Sequence, residues 1–305
     1  MAQQPAFDAL AIAAYGNGGK LLIARQAGDG CTSRVYRAML GTGGRVGRLT
    51  RLGPVIRGIV ASVATDANAA LIGYFVGPCG KSASGGYLAV LNVRTGRVRR
   101  WTGVALYGSG GSIETGTALS MSASGRLVVF TGQATGTGGR IIGQRVWEMR
   151  TSAPAGPLRA HVRVVLSRPE SGPALSAAVL SPGGKSFYLC TVTTNGTASA
   201  HATVTQTAVI TDRRSANGSS AGTVAKLTAT GVTSAGEDIG CPMAGDPGGG
   251  YLLVPYALRF ASSTETGPRV RAARISVARR SVAVLSFRLP GSAGMSVATG
   301  LSIAW

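Results

Sequence analysis

The chain has 305 residues, 45% hydrophobic and 14% charged, with 31 Lys and Arg against 11 Asp and Glu for a formal net charge of +20. That length and apolar content exclude a disordered chain, while 46 Gly and only 6% aromatic residues exclude a helical bundle and leave few rings for stacking nucleic-acid bases. The charge attracts polyanions in general, although a GC-rich coding sequence also favours Arg over Lys, and the only lysines are Lys20, Lys81, Lys185 and Lys226.

In chain order, Phe7 to Tyr15 alternates as a strand, breaks at Gly16-Asn17-Gly18-Gly19, and resumes at Leu21 to Ala24. After a polar loop through Cys31 come SRVYRAML and a hairpin ending at Thr50. The next segment repeats the plan: GIVASVA, a turn at Thr65-Asp66-Ala67-Asn68, ALIGYFV, a loop, YLAVLNV, and RVRRWT after a Thr-Gly turn. Gly43 to Thr50 and Thr95 to Thr102 share a Gly-x-Val-x-Arg-apolar-Thr theme, which marks the two segments as copies.

Three further units follow with longer loops. Their first turns fall at Ala123-Ser124-Gly125, Pro182-Gly183-Gly184 and Gly245-Asp246-Pro247-Gly248, so the first-turn positions of the series are Gly19, Asn68, Gly125, Gly184 and Gly249. A lone four-stranded antiparallel sheet cannot bury both faces, whereas sheets stacked radially bury each face against a neighbour. The expected fold is an all-β propeller in a single domain, residues 1–305. Its five complete four-stranded blades cover roughly 5–53, 54–104, 115–168, 170–230 and 231–292, and 293–305 forms the first strand of a sixth. Two β-sandwiches are the alternative, but they do not explain the same ordered series five times over.

ALSMSASGRLVVF and ALSAAVLSPGGKSFYL resemble the strand-turn-strand "S-P-D-G-x-x-L" of TolB-like and WD-repeat-like β-propellers, and YLAVLNVRTGRVRRWT resembles their third and fourth strands. The likeness extends to the propeller modules of membrane-anchored actinobacterial proteins with no assigned activity. It implies a fold and, for function, a binding or sensing module. The Asp-Gly turn is eroded and no Trp-Asp dipeptide occurs, so the interactions of intracellular WD-repeat scaffolds do not carry over. Met295 to Trp305 resembles Thr117 to Ser122, which makes the chain read as part of a six- or seven-bladed ring.

The four cysteines, Cys31, Cys79, Cys190 and Cys241, form no CxxC pair and have two histidines beside them in the sequence, a poor zinc set. As disulfides they allow three connectivities and fit an exported protein; as thiols they serve as small buried apolar residues. Blade topology puts all four toward one face of the ring, and the expected pairs are Cys31–Cys79 and Cys190–Cys241, each joining neighbouring blades. The N-terminal MAQQPAFDALAIAAYG has no basic n-region and too short an apolar run to cross a bilayer. An extracytoplasmic or cell-surface location is therefore expected through an anchor outside this chain, with a cytoplasmic location as the alternative.

Chemistry-bearing groups are sparse. His161 lies on an alternating strand and His201 in a low-complexity loop; both read as ordinary surface histidines. Gly218 to Gly222 spells G-x-S-x-G in a hairpin loop rather than at a strand-to-helix elbow. Glu114, Glu237 and Asp238 start inner strands and are the candidates for an axial Ca²⁺ site, with Asp8 at the start of the first. Solvated positions are the plainer reading, so no catalytic residue, cofactor or metal site is assigned.

The arginines cluster at Arg94, Arg97, Arg99 and Arg100, at Arg213-Arg214, and at Arg269 to Arg280. Alternation puts Arg97 and Arg99 on one face and Arg100 on the other, which suits protection of an outermost strand. The sharper reading makes Arg97, Arg99, Arg100, Arg279 and Arg280 an anion-binding rim. The function expected is a non-catalytic, monomeric extracytoplasmic module that binds a protein or an anionic cell-envelope polymer rather than nucleic acid; a propeller hydrolase or lactonase with an axial metal is the alternative.

Overall fold

The computed structural model describes residues 8–15, 19–27, 31–39, 47–79, 84–105, 113–135, 141–169, 174–195, 203–214, 220–232, 244–256, 269–288 and 302–304. The chain forms antiparallel, mainly four-stranded sheets arranged as a five-bladed β-propeller. Blade one is β1 (Asp8–Tyr15), β2 (Lys20–Gln26), β3 (Thr32–Met39) and β4 (Thr50–Arg57). Blade two is β5 (Ile59–Thr65), β6 (Leu71–Gly77), β7 (Ser84–Asn92) and β8 (Val98–Ala105). Blade three has β9 (Ile113–Met121), β10 (Leu127–Thr135), β11 (Ile141–Arg150), the short β12 (Gly156–Pro157) and β13 (Val162–Arg168). Blade four is β14 (Ala174–Leu180), β15 (Ser186–Asn195), β16 (Thr203–Arg214) and β17 (Ser220–Val232). Blade five is β18 (Ala244–Gly245), β19 (Tyr251–Tyr256), β20 (Arg269–Ser276) and β21 (Ser281–Arg288).

Packing explains why both faces of the strands are apolar. Ile72, Tyr74 and Val76 of β6 join Leu22, Val35 and Leu52 of blade one. Phe75 points the other way and joins Leu119, Val128, Phe130 and Trp147 of blade three. The seam between blades three and four holds Val129, Val146, Leu175, Phe187 and Leu189. Between blades four and five, Val179, Cys190 and Ile210 meet Leu252, Val254 and Ile275. The core is thus a series of seams between blades, each removing apolar area from water on two sheets at once. Phe75 and Phe130 meet edge to face across one seam, their centroids 5.2 Å apart.

Serines tie successive inner strands together. Ser62 Oγ accepts the Leu119 N–H at 3.1 Å and Ser120 Oγ accepts the Leu180 N–H at 2.9 Å. Each bond satisfies a buried backbone donor with the preceding blade's side chain, which fixes how far neighbouring blades slide past one another.

The first turns of blades two to five share one register. Asp66, Ser122, Ser181 and Asp246 open it, and each side chain accepts a backbone N–H of its own turn or of the strand that follows. The fourth turn residue is left-handed: φ is 53° at Ala69, 68° at Gly125, 67° at Gly184 and 92° at Gly249. This corrects the sequence alignment in blade two, where Ala69 rather than Asn68 occupies the glycine position. The loops of blades two to five are equally long, and an Ala at the left-handed position gives no turn signal in the sequence.

β22 (Ser302–Ala304) runs parallel to β1, with Ser302 opposite Ala11 and Ala304 opposite Ala13. It also touches β5, β9, β18 and β19, so it lies among inner strands and links blade five to blade one. Its direction is that of an innermost strand, but it joins the sheet of blade one instead of opening a sixth, which corrects the expected six- or seven-bladed ring to a five-bladed arrangement among the described residues.

Candidate functional site

The exposed arginines of blade two are placed by a tight hairpin. Asn92 Oδ1 accepts the Thr95 N–H at 3.0 Å, and Gly96, at φ 69°, supplies the left-handed residue that turns the chain back. Arg97 follows in the turn and Arg99 and Arg100 on β8, all exposed. Within residues 84–105 there is no Asp or Glu to neutralise them.

β8 is not a bare outer edge. Residues 151–161 of blade three form a strap across it, in which Gly156 pairs in parallel with Trp101 and Pro157 with Thr102. Trp101, fully buried, donates from Nε1 to the Pro154 carbonyl at 2.7 Å. Arg99 donates from its guanidinium to the carbonyls of Thr151 at 2.7 Å and Ala153 at 3.3 Å. Arg100 lies over the Tyr87 ring, 5.2 Å from its centroid. The edge is covered by backbone pairing, and the arginines expected to guard it instead anchor the strap (Arg99), stack on a ring (Arg100) or project freely into solvent (Arg97).

Leu158 is buried beneath the strap, and the His161 N–H closes its 3-10 turn on the Leu158 carbonyl. Arg163 on β13 pairs with Glu148 at 3.0 Å. The Tyr74 hydroxyl is pushed up to about 12, first by burial and then by Tyr87, with Arg100 pulling the other way. Burial likewise raises Tyr87. Both phenols therefore remain protonated at neutral pH and add no negative charge to the rim.

Arg279 and Arg280 lie in the exposed β20–β21 turn of blade five, with Arg280 at φ 50°. The expected basic residues thus sit on two blades and do not form one patch. Among the Ca²⁺ candidates, Glu237 and Asp238 lie outside the described residues; the Glu114 backbone pairs with Gln133 and Ala105, and its side chain is not among those described. No cluster of three or more His, Cys, Asp or Glu occurs among the described residues. His201 also lies outside them.

A disulfide joins Cys31 and Cys79, whose Cα atoms are 5.3 Å apart, and clamps the second loop of blade one to that of blade two. Cys190, fully buried, is also disulfide-bonded, whereas Cys241 lies outside the described residues. The strap, with Pro154 as acceptor for Trp101, is what sequence reasoning missed. The Pro and Gly of APAGPL signalled an irregular segment, but nothing local said which blade it would lie on.

No family model matches the sequence, and neither does any curated protein. Solved structures do resemble the fold. The TolB of Agrobacterium tumefaciens is 12% identical, over 93% of this chain and 83% of that one, at a TM-score of 0.48. A prolyl endopeptidase is 10% identical over 94% of this chain at 0.41, and this chain spans 50% of its length. An oligogalacturonate lyase in complex with manganese is 9% identical over 88% and 73% at 0.42. No residue's role passes to this chain at such values.

Proposed function

We propose that this chain is a non-catalytic, extracytoplasmic propeller of TolB-like type that binds an anionic cell-envelope polymer through the arginine rim of blade two. The observation that carries the reading is the β7–β8 hairpin, in which Arg97, Arg99 and Arg100 are exposed and no carboxylate occurs. The strap and Tyr87 hold Arg99 and Arg100 in place, so less side-chain entropy is lost on binding. Guanidinium groups suit carboxylate and phosphate oxygens, which they grip in pairs. The Cys31–Cys79 disulfide fits an oxidising compartment.

The test is binding to poly(glycerol phosphate) and to hyaluronate as ionic strength rises, with single-stranded DNA as the competing polyanion. Affinity should be greatest at low salt and fall steadily. Replacing Arg97 and Arg100 by Ala should weaken it about tenfold while leaving the thermal midpoint in place. Absence of binding at low salt defeats the proposal, and a preference for DNA over both polymers replaces it with a nucleic-acid function.

A further inference from the structure

The two ends of the ring are built from different connections. At one end the Cys31–Cys79 disulfide joins the β2–β3 loop to the β6–β7 loop, and the Gly58 N–H, between blades one and two, donates to the Cys31 carbonyl at 2.7 Å. The other end carries the first turn of each blade and the connection between its last two long strands, because in a four-stranded antiparallel sheet those two fall on the same side. Hydrogen bonds fasten them together. The carbonyls of Ala70, Arg126 and Gly250, each just after the left-handed turn residue, accept the N–H groups of Val93, Thr151 and Val277 from the later connection of the same blade, at 2.9, 2.9 and 3.2 Å.

Neighbouring first turns also meet. The Ala67 N–H donates to the Ala123 carbonyl at 3.1 Å, and a Cβ at Gly184 or Gly249 would touch Leu127 or Pro182 of the preceding blade. These turns therefore make one continuous surface across blades two to five. The β1–β2 turn of blade one, at the far end of its sheet from the disulfide-bonded loop, opens on the same side.

The charge of this end is one-sided. Lys20, Arg94, Arg126, Lys185 and Arg279, one from each blade, are exposed in or beside the turns. The only carboxylates among the described residues of these connections are turned inward: buried Asp66 accepts the Ala70 and Leu71 N–H groups, and buried Asp246 accepts that of Gly248. Between the bases the exposed residues include Gly96, Ser124, Gly183 and Gly248, too small to hold a flat partner away. Exposed apolar side chains also occur here. Met39, 59% exposed, stands opposite Lys20 in the β2–β3 register, and exposed Val282 closely follows Arg280 at the start of β21.

We propose that this end of the propeller docks on an anionic phospholipid bilayer, the bases meeting headgroup phosphates and the Met39 and Val282 tips entering the boundary beneath them. Bases spread over five blades match a plane of headgroups, whereas a single polymer strand follows only one row of them. The apolar tips fit the same partner, since a fully hydrated polyanion offers them no apolar surface. The inference is separate from polymer binding by the rim of blade two, with which it shares only Arg97.

The test is co-sedimentation of the intact protein with vesicles of phosphatidylglycerol and phosphatidylcholine in equal parts, and with pure phosphatidylcholine, beside binding to poly(glycerol phosphate) as a soluble source of the same phosphate chemistry. The mixed vesicles should bind saturably, the neutral ones at least about tenfold more weakly, and affinity should fall as salt rises. Arg126→Ala with Lys185→Ala should weaken vesicle binding about twentyfold, at roughly fivefold for each base. Arg57→Ala with Lys226→Ala removes the same charge from exposed positions away from this end and should change binding less than about twofold. Met39→Ser should weaken vesicle binding severalfold and leave poly(glycerol phosphate) binding unchanged. The replaced side chains are all exposed, so unchanged thermal midpoints should accompany these losses. Absence of binding to the mixed vesicles at low salt, equal binding to the neutral ones, equal losses in the two double variants, or an unchanged Met39→Ser variant would overturn the proposal. Poly(glycerol phosphate) binding without vesicle binding would also overturn it while leaving the polymer reading in place, and vesicle binding without polymer binding would do the reverse.

Discussion

Trp101 of blade two hydrogen-bonds Pro154 of blade three at 2.7 Å, so the outer edge of one blade is sealed by the connection of the next. The indole is fully buried between the two sheets, against Leu119, Phe130 and Leu158 of blade three. The seal therefore belongs to the inter-blade core, and its loss should loosen two blades together.

Trp101→Phe should destabilise the protein by about 1 kcal/mol, the worth of one hydrogen bond with the packing kept. Trp101→Ala should cost about 3–5 kcal/mol through the cavity it leaves. Arg99→Ala, at an exposed site, should cost less than either. Urea titration of the three variants checks the order, and equal losses for Phe and Ala would mean that packing under the strap is not tight.

The disulfide between Cys31 and Cys79 closes a loop with a sequence separation of 48 residues. Replacing both by Ser should lower stability by about 4 kcal/mol, chiefly by freeing the unfolded chain. The thermal midpoint should fall, and a reducing agent should lower the midpoint of the wild type by more than that of the double variant, in which only the disulfide of Cys190 is left to reduce.

Asp246 should give stability a recognisable pH dependence. It is 3% exposed, Oδ2 has no hydrogen-bond partner, and burial raises its pKa above the ordinary 3.8 despite the Gly248 N–H and Arg274. A carboxyl whose folded pKa lies above its unfolded one binds its proton more tightly when folded. Its contribution thus favours folding at pH below both values and declines as pH rises from about 3.8 to the folded value. Asp246→Asn, which keeps an acceptor for Gly248, should be at least as stable as the wild type at pH 7, and their difference should shrink on acidification. A constant difference across pH 3 to 7 would show that Asp246 titrates normally.

The turn register can be tested by exchanging residues at its left-handed position. A Cβ at Gly249 would meet the Pro182 ring of blade four at a φ of 92°, so Gly249→Ala should cost about 1–3 kcal/mol. Ala69 already carries a Cβ at φ 53°, and Ala69→Gly should change stability by less than about 1 kcal/mol, because relief of strain offsets the added freedom of the unfolded chain. If Ala69→Gly proves as costly as Gly249→Ala, blade two does not share the register of blades three to five.

The repeat itself is local and was legible in the residues. Strands such as Leu71–Gly77, apolar on both faces, require a sheet on each side, and in blades two to five an Asp or Ser marks where the first strand turns into the second. Cys31 and Cys79 occupy corresponding loops of adjacent blades, so topology alone brought them together. The terminal strand could be matched to an inner strand by composition, but its parallel pairing with β1 could not.

Tertiary structure alone decided the rest, because it depends on how sheets far apart in sequence settle against each other. Period-two alternation says which side of a strand a residue takes, but not which neighbour fills that side. Hence Arg99 read as an edge guard until the strap lay across it, and Gln144 and Leu175, in strands of different blades, met in a hydrogen bond only when blades three and four packed through Val146 and Phe187.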